Sequence, residues 1–181
     1  MSKKIKVLAI SGSLRKKSTN KGMLRYAQEN APADMQIMIA DIANIPFYNQ
    51  DITQKPASVE KLFTQMKEAD AFIFAATEYN YSMAPALKNA LDWASREPDN
   101  YLLSGKPAAV MGSGGGMGSS RAQAHLRQVA VFLNLHMLPQ PEVFANAFSD
   151  DFDEEGNLVS AKIQTRVVEQ LEALKKLVLQ F

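Results

Sequence analysis

Short apolar runs alternate with longer stretches of helical period along the 181-residue chain. Ile5–Ile10, Gln36–Ala40, Ala71–Ala76 and Ala108–Gly112 read as strands, with His136–Leu138 as a weaker fifth. These runs are apolar almost throughout, not at every second position. Strands of that kind are buried on both faces, which predicts a parallel sheet covered by helices. Between them, apolar residues recur at i, i+3, i+4 and i+7. The stripes are Val59, Leu62, Phe63 and Met66; Leu87, Ala90, Leu91 and Ala94; and Leu126, Val129, Ala130 and Leu133. A last stripe runs through Ile163, Val167, Leu171, Leu174 and Val178. Each is the core face of an amphipathic helix. The alternation predicts one α/β domain over residues 1–181, a doubly wound sandwich built on five parallel strands. Ligands of such sheets bind beyond the carboxyl ends of the strands. Function is therefore expected in the loops after strands one, three and four. The polar stretch Ser149–Asn157 reads as a surface loop leading into the last helix.

Charge adds an exclusion. Twenty Lys and Arg face nineteen Asp and Glu, so there is no global field for nucleic acid or an anionic membrane. The chain has no cysteine, which removes disulfides, thiolate catalysis and Cys-ligated metals. The basic start Met1–Lys4 is followed by an apolar run too short for a signal sequence, and no stretch approaches a membrane span. A cytoplasmic protein without nucleic-acid or membrane partners is expected. The sequon at Asn80–Ser82 is read as chance.

Several familiar motifs fail. A dinucleotide fingerprint needs G-x-G-x-x-G after the first strand, where only Gly12 stands. In the run Gly112–Gly118 the sixth positions are Met117 and Ser119. Gly105-Lys106 lacks the upstream glycine of a phosphate-binding P-loop, and no G-x-S-x-G elbow exists. Asp151–Gly156 begins like a calcium loop, but its twelfth position is Lys162. His125 and His136 lack metal-ligand spacing, so packing or surface roles are expected for both.

Three loops remain. The first, Ser11–Asn20, follows a buried strand and opens a helix, whose N-terminus offers free N–H groups and a positive dipole end. Ser11, Ser13, Ser18, Thr19 and Asn20 supply short polar groups, Gly12 a tight turn, and Arg15 a guanidinium fork suited to phosphate. Helix capping alone would explain one such residue, not five around an Arg. Lys16 and Lys17 need be no more than solvated. In the second loop, Thr77–Ser82, two tyrosines, Tyr79 and Tyr81, offer flat faces and Asn80 can bond an amide-like ring edge in both directions. That suits an isoalloxazine ring, and equally a surface turn with aromatic packing. The third loop, Gly112–Ser120, lets backbone approach a flat ligand; the plainer alternative is a flexible connector.

The segments Gly12–Asn20, Glu78–Ser82, Leu87–Arg96 and Gly112–Arg127 together resemble the NADPH-dependent FMN reductase family, the flavodoxin-like group that includes chromate, quinone and azo-dye reductases. The resemblance spans nearly the whole chain. It implies a parallel sheet of order 2-1-3-4-5 and non-covalent FMN. By motif, Ser11, Ser13, Arg15, Ser18 and Asn20 would cradle the phosphate. Glu78, Tyr79, Asn80 and Tyr81 would line the ring, with Ser113, Gly114, Gly115 and Gly116 along its other edge. It also implies a homodimer or homotetramer, with the helix bearing Trp93 near the subunit interface; from the residues alone Trp93 is core. Two departures flank the ring loop. Ala76-Thr77 stands where the family commonly has Thr-Pro, and Ala84-Pro85 where it often has Pro-Gly.

The expected chemistry is ping-pong. NADPH or NADH would give hydride to flavin N5, and a small-molecule acceptor (quinone, azo compound, chromate or free flavin) would then take the electrons. No side chain is expected to be catalytic, because the cofactor carries the chemistry. Alternatives are a flavin reductase supplying reduced FMN to a monooxygenase and a flavodoxin-type electron carrier. Such carriers are strongly acidic, whereas this chain is near neutral.

Overall fold

The computed structural model describes residues 4–181, so Met1–Lys3 of the basic start lie outside the described residues. Its central sheet is parallel. The strands β1 (Ile5–Ser11), β2 (Met35–Ala40) and β3 (Ala71–Ala75) occur where the apolar runs predict them. The two-residue strands β4 (Glu78–Tyr79) and β5 (Ser82–Met83) form a separate hairpin. Next comes β6 (Pro107–Gly114), then β7 (His136–Met137) and β8 (Val143–Asn146). The order is β2-β1-β3-β6, with β7 and β8 both beside β6. This is the doubly wound, flavodoxin-like arrangement, with one change. The fifth strand is split. β7 pairs with Pro107–Ala108 at the start of β6, and β8 pairs with Met111–Gly114 at its end. Pro139 and Pro141 lie in the gap, and proline cannot donate to a ladder. Buried Gln170 repairs the interruption by donating to the Val110 and Pro141 carbonyls, at 3.1 and 2.7 Å.

The helices are α1 (Thr19–Glu29), α2 (Ala57–Glu68), α3 (Pro85–Ala94), α4 (Ser120–Phe132) and α5 (Ala161–Val178). Because side chains alternate across a strand, the central strands feed two cores. Leu8, Ile10, Phe72, Phe74 and Val110 face α2, α3 and α4. Val7, Ala9, Ile73, Ala109 and Met111 face α1 and α5. Burial of a Leu, Ile or Phe contributes about 1.5–3 kcal/mol, so these faces fix the register. Trp93 is core, donating its indole N–H to the Pro46 carbonyl at 2.7 Å and meeting Tyr48 edge-on. Lys106, just before β6, is half-buried, its ammonium donating to the Met66 carbonyl at 2.7 Å; burial lowers its pKa.

Candidate functional site

The first loop leaves β1 at Ser11, whose hydroxyl accepts the Ser13 N–H at 3.1 Å. The Gly12 N–H donates to the Ala75 carbonyl at 3.0 Å, holding the loop against β3. A Cβ on Gly12 would stand 3.3–3.4 Å from the Cβ atoms of Ala84, Leu87 and Thr77, so this backbone approaches its neighbours as closely as glycine permits. Ser18 caps α1 and accepts the Lys21 N–H at 3.2 Å. The first-turn N–H groups of α1 have no partner within the helix, and they carry its positive end. Ser11, Ser13, Ser18 and Asn20 are buried around this end, and Arg15 stands exposed beside it. An oxyanion is the ligand such an arrangement accepts.

The third loop is locked to the first. The Asn20 amide donates to the Ser113 carbonyl at 2.9 Å and accepts the Ser113 N–H at 3.0 Å. Thr19 and Ser113 hydroxyls meet at 2.7 Å. Asn20 thus spends both ends of its side chain on joining the loops. Beyond Ser113, a side chain at Gly114 would stand 2.8 Å from the Ser119 nitrogen, whereas Gly115 and Gly116 are exposed with open space around them. Tight glycines hold the turn, and open ones leave their backbone exposed.

The second loop is a β-hairpin. Asn80 and Tyr81, at φ 50° and 66°, form its two-residue turn, with left-handed backbone at both positions. Tyrosine there is strained by about 1–3 kcal/mol, and the turn holds the Tyr79, Asn80 and Tyr81 side chains out in solvent. Glu78, placed by motif along the ring, is held by bonds to α4. Its Oε2 accepts the Arg121 and Ala122 N–H groups, both at 3.1 Å, and so caps α4. Its Oε1 meets the Arg121 guanidinium at 3.4 Å, and that guanidinium lies 4.0 Å over the Tyr81 ring. Sequence reasoning missed this clamp. Its signal was Arg121, a cation in the first turn of a helix that lacks an acidic residue of its own there.

His125 meets the Ser82 hydroxyl at 3.0 Å, and the His136 ring stacks on Phe181. Among the described residues, no group of three or more His, Cys, Asp or Glu could hold a metal ion.

The site passes a test for a phosphorylated flat ligand. Among the described residues, seven of the buried polar ones, Ser11, Ser13, Ser18, Thr19, Asn20, Thr77 and Ser113, belong to the first and third loops or to the end of the strand β3 beside them. The Thr77 hydroxyl is buried without a hydrogen-bond partner. Burying a polar group costs free energy unless it is paired; the others here are bonded to one another, so the Thr77 hydroxyl is the group that a polar occupant would satisfy. Beside it lie exposed tyrosine rings and bare glycine backbone.

Residues 5–150 match the sequence profile of NADPH-dependent FMN reductase. The chain is 49% identical over 178 residues to an NAD(P)H-dependent FMN reductase of Pseudomonas aeruginosa, covering 97% of this chain and 96% of that one. It is 44% identical over 180 residues to an NADPH:quinone oxidoreductase of Arabidopsis thaliana, covering 94% and 90%. In structure it resembles the flavoenzyme NAD(P)H:(acceptor) oxidoreductase of Paracoccus denitrificans, with a TM-score of 0.87 at 29% identity over 97% of this chain and 98% of the other. The three interlocked loops and these likenesses agree: the chain belongs to the NADPH-dependent FMN reductase family.

Proposed function

We propose that this protein is an FMN-dependent NAD(P)H oxidoreductase that works by ping-pong exchange and reduces quinone-type acceptors. The observation that carries it is the contrast between the two ends of this loop cluster. The end at α1 is buried, polar and carries the start of a helix, and the end at the hairpin is exposed and aromatic. FMN, when bound, supplies the two-electron redox centre. The first-turn N–H groups of α1, Ser11, Ser13, Ser18 and Arg15 would hold its phosphate, and Tyr79, Asn80, Tyr81 and the Gly115–Gly116 backbone would border its ring. Glu78 and Asn20 orient those loops without touching the reacting atoms. Tyr79 and Tyr81 provide flat faces for nicotinamide and acceptor in turn, which suits planar quinones. Nearly half of Tyr79 and two thirds of Tyr81 are exposed, so the open end sets few limits on acceptor shape.

The same proposal includes a homo-oligomer in the cytoplasm. Val131 and Phe132 close α4 at 80% and 73% exposure, a pair of side chains that self-association would cover. No helix among the described residues is long and apolar enough to cross a membrane. The test is anaerobic mixing of the FMN-loaded protein with NADPH or NADH. Rapid loss of the visible flavin band, restored by a quinone, is expected. A band that persists with both donors would overturn the activity, and a protein that takes up no FMN would overturn the site.

A further inference from the structure

The segment Asp151–Leu158 lies just beyond the span that matches the family, and its hydrogen bonds form a strap across the back of the phosphate loop. Phe152 and Leu158 pair at its base. The Asp153 carboxylate accepts the N–H groups of Glu155 and Asn157, at 3.0 and 2.8 Å, and the Asn157 side-chain amide at 3.0 Å. These bonds fix the turn and hold Asp153 below the usual carboxylate range.

The strap meets the first loop backbone to backbone. Gly156 has φ 77°, and a Cβ there would stand 2.8 Å from the Lys17 carbonyl oxygen and 3.2 Å from the Ser18 carbonyl carbon. On the opposing side, a Cβ on Gly22 of α1 would overlap the Gly156 carbonyl oxygen and lie 2.9 Å from its carbon. Two side chains tie down the flanks. Lys17 pairs with Glu155 at 2.6 Å, and Arg25 donates to the Asn157 side-chain oxygen at 2.6 Å. At its other end the strap reaches the third loop: Asp151 accepts the Asn146 N–H at 3.1 Å, and the Ala147 N–H donates to the Gly114 carbonyl at 2.7 Å.

The geometry points to the strap as the element that positions the phosphate loop, and so decides whether FMN stays bound or exchanges as a substrate. This rests on the flavin phosphate sitting at the N-terminus of α1, as proposed above. The residues at the point of contact, Lys17 and Ser18, are the ones that lead the chain into α1. A loop held there presents its N–H groups already aimed, and pre-organisation of that kind appears as affinity. Gly22 and Gly156 are positioning residues; neither needs to touch the ligand.

The experiment compares FMN with riboflavin, which has the same ring and no phosphate. Dissociation constants for both are measured by flavin fluorescence on wild-type protein and on Gly156→Ala, Gly22→Ala and Glu155→Gln. Wild-type protein should favour FMN. The two glycine variants should lose about tenfold or more of FMN affinity while riboflavin binding changes less than about twofold, so the ratio collapses. Glu155→Gln, an exposed change that leaves the fold intact, should give a loss of about two- to threefold, for FMN alone and only at low salt. Equal weakening toward both flavins would mean general loosening and overturn the proposal. So would glycine variants that keep the wild-type ratio. If the glycine variants do not fold, Glu155→Gln decides: an unchanged low-salt ratio overturns it. Wild-type protein that binds neither flavin overturns the flavin site itself, and the strap's role with it.

Discussion

The α1 end and the hairpin end of the candidate site are built in opposite ways. At the α1 end every short polar residue is buried, and the loop is bonded to β3, to the glycine loop and to the strap. At the hairpin end the tyrosines and glycines are exposed, and the principal tie is the Glu78–Arg121 clamp with its stack on Tyr81. The difference separates two tasks. Holding a cofactor rewards rigidity, because ordering is completed before binding. Accepting two different substrates in turn rewards an open face with few fixed contacts.

Asn20→Ala should do the most damage. It strands the buried N–H and carbonyl of Ser113, at a cost of about 3 kcal/mol. Thermal unfolding should come clearly earlier, and FMN affinity should fall with it. A variant with wild-type melting would show that the loops are not joined through this amide. Arg15→Ala should weaken FMN binding about tenfold with no change in melting, since its side chain is exposed and the lost contact is charge-assisted. Unchanged affinity would remove Arg15 from the phosphate site. Glu78→Gln should cost about 1 kcal/mol through the weakened cap on α4. Stopped-flow should show slower flavin reduction with FMN affinity retained; a large loss of FMN would put Glu78 at the ring after all.

Tyr81→Gly should leave stability within about 0.5 kcal/mol of wild type, because relief of the left-handed strain offsets the lost cation–π stack. Its effect should be a raised KM for quinones, measured in steady state. The smallest effect concerns pH. Asp153 has a lowered pKa, so its contribution is present above the ordinary carboxylate range and is lost as the pH falls through its lowered value. Melting followed down that acid limb should decline less steeply in Asp153→Asn than in wild type.

Much of this was legible in the sequence. The stripe Val59, Leu62, Phe63, Met66 is buried throughout, and so is Leu87, Ala90, Leu91, Ala94. Near-continuous apolar runs gave β1, β3 and β6 because those strands have helices on both faces. The strand β8 was missed because its four residues, Val143–Asn146, are too short for a period and follow two prolines. The three candidate loops stood out by their residue types, and the structure brings the first and third into direct contact. Their interlocking was not visible in the sequence, because a reciprocal bond such as Asn20–Ser113 spans 93 positions and leaves no local pattern. Ser149–Asn157 read as a plain surface loop for the same reason. One sign was present: Gly22 sits inside an otherwise good helix, where glycine costs about 1 kcal/mol against alanine. A helix bears that cost where another backbone must come close.

The divided fifth strand has a consequence for how copies of this protein can meet. A long, flat outer strand is a template on which a second sheet can grow. Here that side of the sheet offers a two-residue and a four-residue piece with prolines between them. Neither is long enough to seed continuous pairing. Growth by sheet extension is disfavoured on this side, so a second copy that paired strand to strand would have to do so at β2, on the opposite edge.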